Sequence, residues 1–165
     1  MAAQDMPRNL ILLAIHASAG DLKRSRDLML RSRFQRLPFP KIAQTILEIH
    51  LFAGFPAAIE ALILLRQCPL GKAQKTRPDR STRKLYYERG VKVCRQVYGE
   101  NFKKLMKNMQ CLHPDLARWI IDGYGKVLAR PGLTLLEREL IAVGVLAAGG
   151  WLRQLESHLK GVANV

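Results

Sequence analysis

The chain has 165 residues, and its 48% hydrophobic and 24% charged residues exclude a disordered or fibrous protein and favour one globular domain. Its net charge of +14 is abnormal, and most of the excess lies in residues 71–107, which carry 12 basic and 3 acidic groups. No apolar run approaches the roughly 18 to 20 residues of a membrane span, and no signal peptide is evident, so we expect a cytoplasmic protein without a membrane partner.

Helices and no strands are predicted for the first part of the chain, because β-branched residues are sparse and no stretch alternates polar with apolar residues. A glycine, Gly20, ends the first helix, and Asp21 is a good N-cap for the second. Gly54 and Pro56 are expected to bend the chain between the third and fourth helices. The helices are expected over residues 9–19, 21–36, 41–52 and 57–67.

Residues 71–84 are predicted to form an exposed basic linker, because they contain a proline and no apolar periodicity. Its charge has two interpretations: a solvated loop near an anionic substrate or partner, or attraction to nucleic acid. We favour the first, since no aromatic residues are interleaved with the basic ones and no nucleic-acid-binding module accompanies them. The linker separates an N-terminal region, residues 1–70, from a C-terminal region, residues 85–165, and we expect both regions to share one core.

Five more helices are predicted in the C-terminal region, and the last two of them form a hairpin around Gly149 and Gly150. Thr134 and Glu137 have the spacing of a capping box ahead of a long uncharged run, which indicates a buried helix. The helices are expected over residues 83–97, 100–109, 113–128, 134–148 and 151–162.

The chain contains an internal repeat at a shift of 130 residues, because six positions between 8 and 22 are identical to their counterparts between 138 and 152. Two copies of one helix-turn-helix hairpin are therefore predicted. The second copy has no closing hairpin of its own, yet its apolar stripes must be covered. We expect residues 37–66 to pack against residues 134–164, within the chain or across a subunit interface.

The second hairpin carries two polar residues on apolar stripes, Glu139 and His158. Glu139 precedes the turn by about as many residues as His158 follows it, so at roughly 1.5 Å per residue they lie at similar levels. An unpaired carboxylate is costly at such a position, and a facing histidine would satisfy it. The pair is either a proton-transfer device or a buried ion pair that only holds the hairpin together.

Two segments of this hairpin, 138–150 and 154–161, resemble the core motif of the carboxymuconolactone decarboxylase family: Arg-Glu-Leu-Ile-Ala-Val-Gly-Val-Leu-Ala-Ala-Gly-Gly and Gln-Leu-Glu-Ser-His-Leu-Lys-Gly. Residues 90–99 and 119–134 resemble the leading helices of its γ-carboxymuconolactone decarboxylase branch. The sequence Leu-Phe-Ala-Gly-Phe-Pro-Ala-Ala, at 51–58, resembles its closing glycine-x-proline hairpin. The resemblance implies an all-α, alkylhydroperoxidase D-like helical bundle that assembles as a homo-oligomer, commonly a trimer or hexamer.

The family has two chemistries, and one of them needs a Cys-x-x-Cys pair ahead of the motif histidine. Trp151 and Gln154 stand at those positions here, while the three cysteines lie elsewhere in the sequence. Peroxide reduction needs an attacking thiol and a resolving partner, so thiol peroxidase activity is disfavoured and has only family analogy behind it. The other chemistry, decarboxylation, needs no cofactor and no metal.

The resemblance implies a cofactor-free, non-redox lyase that acts on a small anionic substrate, a carboxylated lactone or related acid. His158 would be the general acid and Glu139 its orienting partner. Arg138 is the preferred clamp for a substrate carboxylate, because Arg153 lies five residues before His158 and points to a different side of the helix. His50 is a further candidate for lining the pocket. The main alternative is a non-catalytic scaffold or binding member of the family.

Overall fold

The computed structural model describes residues 2–69 and 78–165, and within these ranges the chain is helical without strands, which confirms the all-α prediction. Half of the predicted basic linker, residues 71–77, lies outside the described residues. A π-helical turn, Tyr124–Leu128, continues the seventh helix. The described helices are α1 Ala2–Ser18, α2 Leu22–Leu30, α3 Ser32–Gln35, α4 Phe39–Gln67, α5 Arg83–Tyr98, α6 Phe102–Leu112, α7 Leu116–Gly123, α8 Leu135–Ala148 and α9 Leu152–Asn164.

Side-chain caps confirm two of the predicted helix starts, those at Asp21 and Thr134. The Asp21 carboxylate accepts a hydrogen bond from the backbone N–H of Arg24 at 3.0 Å, and both bonds of the Thr134–Glu137 capping box are present. The single helix expected over 21–36 is wrong, because Arg31 has extended backbone (φ −67°, ψ 138°) and separates α2 from α3.

Helix α4 spans both helices expected over 41–52 and 57–67, and the predicted bend between them is a break in its backbone at Gly54 (φ 82°, ψ 168°). Contrary to the sequence expectation, α4 is long and apolar enough to cross a membrane by length and composition. Only 28% of its most apolar 18-residue window is buried inside the fold. Core helices of soluble proteins pass the same test, and α4 packs on α1, α2 and α8.

The internal repeat is visible in the backbone of both hairpins. Gly20 and Gly150 have nearly the same left-handed conformation, with φ of +72° and +70°. Five backbone hydrogen bonds at the first turn recur at the second turn at a shift of 130 residues. The first helices of the two copies, α1 and α8, pack directly, and a Cβ at Gly144 would lie 2.8 Å from the Ile11 side chain. A glycine at this crossing therefore sets how closely the two copies approach.

The buried residues form two clusters. The first joins both halves of the chain, since it includes Ile46 of α4 together with Ile141 and Val145 of α8. The predicted packing of residues 37–66 against the 134–164 hairpin is thus confirmed for α8, and it occurs within one chain. The second cluster joins α5 with α7 and the π-helical turn, where a Cβ at Gly125 would lie only 1.8 Å from the Tyr86 carbonyl oxygen. This backbone contact positions the turn that carries Tyr124.

Candidate active site

Glu139 and His158 face each other across the second hairpin. The Nδ1 of His158 donates a hydrogen bond to Oε2 of Glu139 at 2.8 Å, since an ionised carboxylate can only accept. Both side chains are buried, with exposed fractions of 0% for Glu139 and 5% for His158. The bond holds the proton on Nδ1 and leaves Nε2 as the nitrogen that can exchange a proton with a ligand. The predicted pairing of these two residues is therefore present in the fold.

Aromatic side chains enclose the His158 ring. Phe52 meets it edge-on, with ring centres 5.2 Å apart, and the Tyr98 ring lies at 6.2 Å. The Tyr124 hydroxyl donates to the Tyr98 hydroxyl at 2.9 Å, which leaves the Tyr98 proton free to donate elsewhere. Burial raises the pKa of both tyrosines, so they remain protonated hydrogen-bond donors at neutral pH.

His158 lies at the wall of a cavity of about 830 Å³, which is large enough for a small-molecule site. Side chains of α6 and α7 form the wall opposite α9, and two of them, Leu112 and Trp119, are mostly exposed at its edge. The lining residues are Leu51, Phe52, Tyr98, Leu105, Asn108, Met109, Cys111, Leu112, Trp119, Ile120, Gly123, Tyr124, Arg153, Gln154, Ser157 and His158.

Of the two arginines proposed as carboxylate clamps, Arg153 lines the cavity and Arg138 does not. Arg138 is completely buried and is not among the residues that line the cavity; its Nη1 donates to Oε2 of Glu48 at 2.8 Å and its Nη2 to the Arg130 carbonyl at 2.8 Å. Arg153 lines the cavity together with His158. The five-residue spacing, which placed Arg153 on a different side of the helix, is thus not enough to keep it out of a cavity this wide.

His50 does not take its expected place among the cavity-lining residues. It is half-buried on α4 and stacks on Phe55, with ring centres 4.9 Å apart. The neighbouring turn of α4 supplies Leu51 and Phe52 to the cavity instead. Each residue of a helix is rotated by about 100° from the one before it, so His50, which precedes both, points to a different side of α4.

Most of the cavity residues that the sequence analysis did not select come from α5, α6 and α7. Among them, Tyr98 has its ring beside the ring of His158, and it is the last residue of α5, just before Gly99. No periodicity in the sequence places it beside α9, since the contact between α5 and α9 joins segments more than 50 residues apart. Tyr124 is both buried and part of the cavity wall.

Cys111 lies closer to the candidate site than its position in the sequence predicts, because it lines the same cavity as His158. It is exposed, whereas Cys68 and Cys94 are buried, and burial raises the pKa of both buried thiols. Cys111 is the only cysteine among the described residues of the cavity lining. The attacking and resolving pair that peroxide reduction requires is therefore not assembled in this lining.

Gly161 lets the backbone of α9 approach Glu139. A Cβ at this position would lie 2.5 Å from Oε2 of Glu139 and 2.8 Å from the Val97 side chain. We expect Gly161→Ala to displace the Glu139 carboxylate and lower turnover, while the better helix propensity of alanine offsets up to about 1 kcal/mol of the steric cost. Turnover and thermal unfolding measure the two effects, with Glu156→Ala, at an exposed position of α9, as the matched control. Unchanged turnover in Gly161→Ala would contradict a need for this close approach.

One comparison with known proteins found a similar protein. A curated 4-carboxymuconolactone decarboxylase from Acinetobacter baylyi is 31% identical to the chain over 80 residues, which are 47% of this chain and 60% of that protein. The chain is similar to a carboxymuconolactone decarboxylase. The match supports that family without separating its branches, and it spans less than two thirds of the relative. No family model and no solved structure matches the chain.

Proposed function

We propose that the chain is a cofactor-free carboxy-lyase of the carboxymuconolactone decarboxylase type, in which His158 is the general acid. The observation that carries the proposal is the buried Glu139–His158 hydrogen bond at the wall of a cavity of about 830 Å³. A buried pair that only held the hairpin together would not need to lie beside such a cavity. The similarity to a decarboxylase supports the same reaction class.

The proposed reaction needs one group that donates a proton to carbon and one hydrogen-bond donor that stabilises the oxyanion. The bond from the substrate carbon to its carboxylate breaks, carbon dioxide leaves, and the electron pair is delocalised into a conjugated carbonyl. The Tyr98 hydroxyl is available to donate to the resulting oxyanion, since its own oxygen accepts from Tyr124. His158 acts as the charged imidazole, with a proton on each ring nitrogen, and Glu139 stabilises this charge. It delivers its Nε2 proton to carbon, and the neutral ring then regains a proton from water.

The substrate would be a carboxylated lactone or a related acid, and Arg153 would hold a carboxylate that the reaction retains. Assembly as a homo-oligomer, a trimer or hexamer, belongs to the same proposal because the family resemblance implies it. A cytoplasmic location is also part of the proposal. The basic linker adds positive charge that attracts an anionic substrate.

A panel of carboxylated lactones and unsaturated keto acids tests the reaction class. We expect saturable loss of ultraviolet absorbance together with release of one carbon dioxide per molecule consumed. Product formed in heavy water should carry one deuterium on a carbon of the conjugated system that held the electron pair. Absorbance changes without carbon dioxide release would contradict a lyase.

The same assay tests whether thiols take part. We expect a variant with all three cysteines replaced by serine to keep its turnover, because His158 and Tyr98 supply the proton chemistry without sulfur. Cys111→Ser alone is the matched single variant, since Cys111 is the cysteine that lines the cavity. Loss of turnover in a folded triple variant would overturn the non-redox assignment.

A further inference from the structure

The cavity has more room than a small lactone acid needs. Its volume of about 830 Å³ lies near the upper end of the roughly 300–1,000 Å³ of pockets that enclose drug-sized ligands. Apolar side chains of α6 and α7, among them Leu105, Met109 and Ile120, form an apolar wall within its lining. A single carboxylated ring at His158 would leave this wall uncovered.

The charges of the lining are as informative as its size. Among the residues that the structure describes, the lining contains one guanidinium, that of Arg153, and neither a lysine nor a carboxylate. Arg153 has no carboxylate within ion-pair distance in the described part of the chain. Arg153 and His158 are five residues apart on one helix, which corresponds to about 7.5 Å along its axis. A ligand that contacts both side chains therefore bridges two levels of α9.

We propose that the cavity takes an organic acid with a bulky apolar body, which places one carboxylate at Arg153, its reacting carbon at His158 and its body against α6 and α7. The inference rests on the proposed function, because it narrows the acids on which the same site acts. A concave wall of aliphatic and aromatic side chains with one cation at its edge matches an amphiphilic anion in both shape and charge.

Binding of straight-chain carboxylates tests this assignment without any turnover. The chain has two tryptophans, so Trp151→Phe leaves Trp119, which lines the cavity, as the fluorescent reporter. Titration of this protein with butanoate, hexanoate, octanoate and decanoate should give Kd values that fall by up to about fourfold per added methylene. The primary alcohols of equal length should bind at least about tenfold more weakly, since they lack the charge that Arg153 binds.

Two variants separate the charge from the apolar wall. Arg153→Gln should remove the advantage of the carboxylates over the alcohols, whereas Lys92→Gln, at an exposed cation outside the cavity lining, should leave it unchanged. Met109→Trp should fill the apolar end, so that the gain from octanoate and decanoate is lost while butanoate still binds.

Affinities that do not depend on chain length, or that are the same in Arg153→Gln, would overturn the inference. Affinities that fall as the protein concentration rises would also overturn it, because a second copy of the chain would then occupy the cavity mouth. His158→Ala should retain the binding series, which separates this inference from the proposed reaction. Length-dependent binding without any lyase activity would support the ligand class and refute the reaction, and turnover of small lactone acids without length dependence would do the reverse.

Discussion

Replacement of His158 by alanine is expected to lower turnover by about 100-fold or more, because general acid catalysis contributes roughly 10²- to 10⁴-fold. The effect should fall on kcat, since proton delivery occurs after the substrate is bound. Initial rates across substrate concentrations measure it, with circular dichroism to confirm that the variant is folded. His16→Ala is the matched control, because His16 lies in the first copy of the hairpin, away from the cavity lining.

Glu139→Gln tests the second member of the pair. The amide keeps the size of the side chain and still accepts a hydrogen bond, but it removes the charge that stabilises a protonated His158. We expect a smaller loss of turnover than in His158→Ala, with incorporation of deuterium from heavy water unchanged in position. Wild-type rates from both folded variants would reduce the pair to a structural role.

The pair was accessible to sequence reasoning because both partners lie on one hairpin. A tight turn and a fixed rise per residue determine which positions face each other, and the cost of burying a lone carboxylate supplies the reason for a partner. The backbone confirms this reasoning, since Gly150 closes the turn and the Glu139–His158 bond spans it. Local geometry of this kind needs no knowledge of the rest of the fold.

The cavity could not be predicted in the same way, because its walls come from five helices distant in sequence. Leu51, Tyr98 and Leu105 are brought to α9 by packing, and no repeat or spacing relates them to His158. The bend of α4 at Gly54 and the π-helical turn at Tyr124 also change which side chains reach the cavity. The sequence analysis predicts the bend at Gly54, but the even helical periodicity on which it rests gives neither the direction of that bend nor the π-helical turn.

Arg138 was misassigned for a reason that the sequence itself contained. Its partner, Glu48, is an isolated carboxylate on the apolar face of α4, where the fold buries it completely. The argument that gave Glu139 a partner applies equally to Glu48, and it predicts a cation from another helix. The sequence could not say which cation, because Glu48 and Arg138 are 90 residues apart.

Removal of Arg138 is expected to cost more stability than any other substitution considered so far. Arg138→Met leaves Glu48 buried beside an apolar side chain and frees the Arg130 carbonyl, so we expect a loss of about 3–5 kcal/mol in the free energy of unfolding near pH 8. Urea unfolding at several pH values measures it. Arg118→Met, which breaks an exposed ion pair with Asp115, is the matched control and should cost at most about 1 kcal/mol.

The loss in Arg138→Met should depend on pH. Burial raises the pKa of Glu48 to about 8 from an ordinary 4.5, and Arg138 opposes a further rise. Without Arg138 the folded chain holds the Glu48 proton to higher pH, while the unfolded chain still releases it near pH 4.5. Both folded proteins hold this proton between pH 4.5 and about 8, so both lose stability alike in that range as pH rises. Above pH 8 only the folded wild type releases it, so the loss in the variant should be larger near about pH 9.5 than near about pH 7.

The double variant Glu48→Met with Arg138→Met decides whether the buried carboxylate is the cause. It replaces both charges by apolar side chains, which is often neutral or stabilising in other buried ion pairs. We therefore expect it to recover most of the stability that Arg138→Met loses and to remove the additional pH dependence. A double variant as unstable as the single one, or a loss that is equal near about pH 7 and about pH 9.5, would show instead that the arginine acts mainly by packing and by its bond to the Arg130 carbonyl.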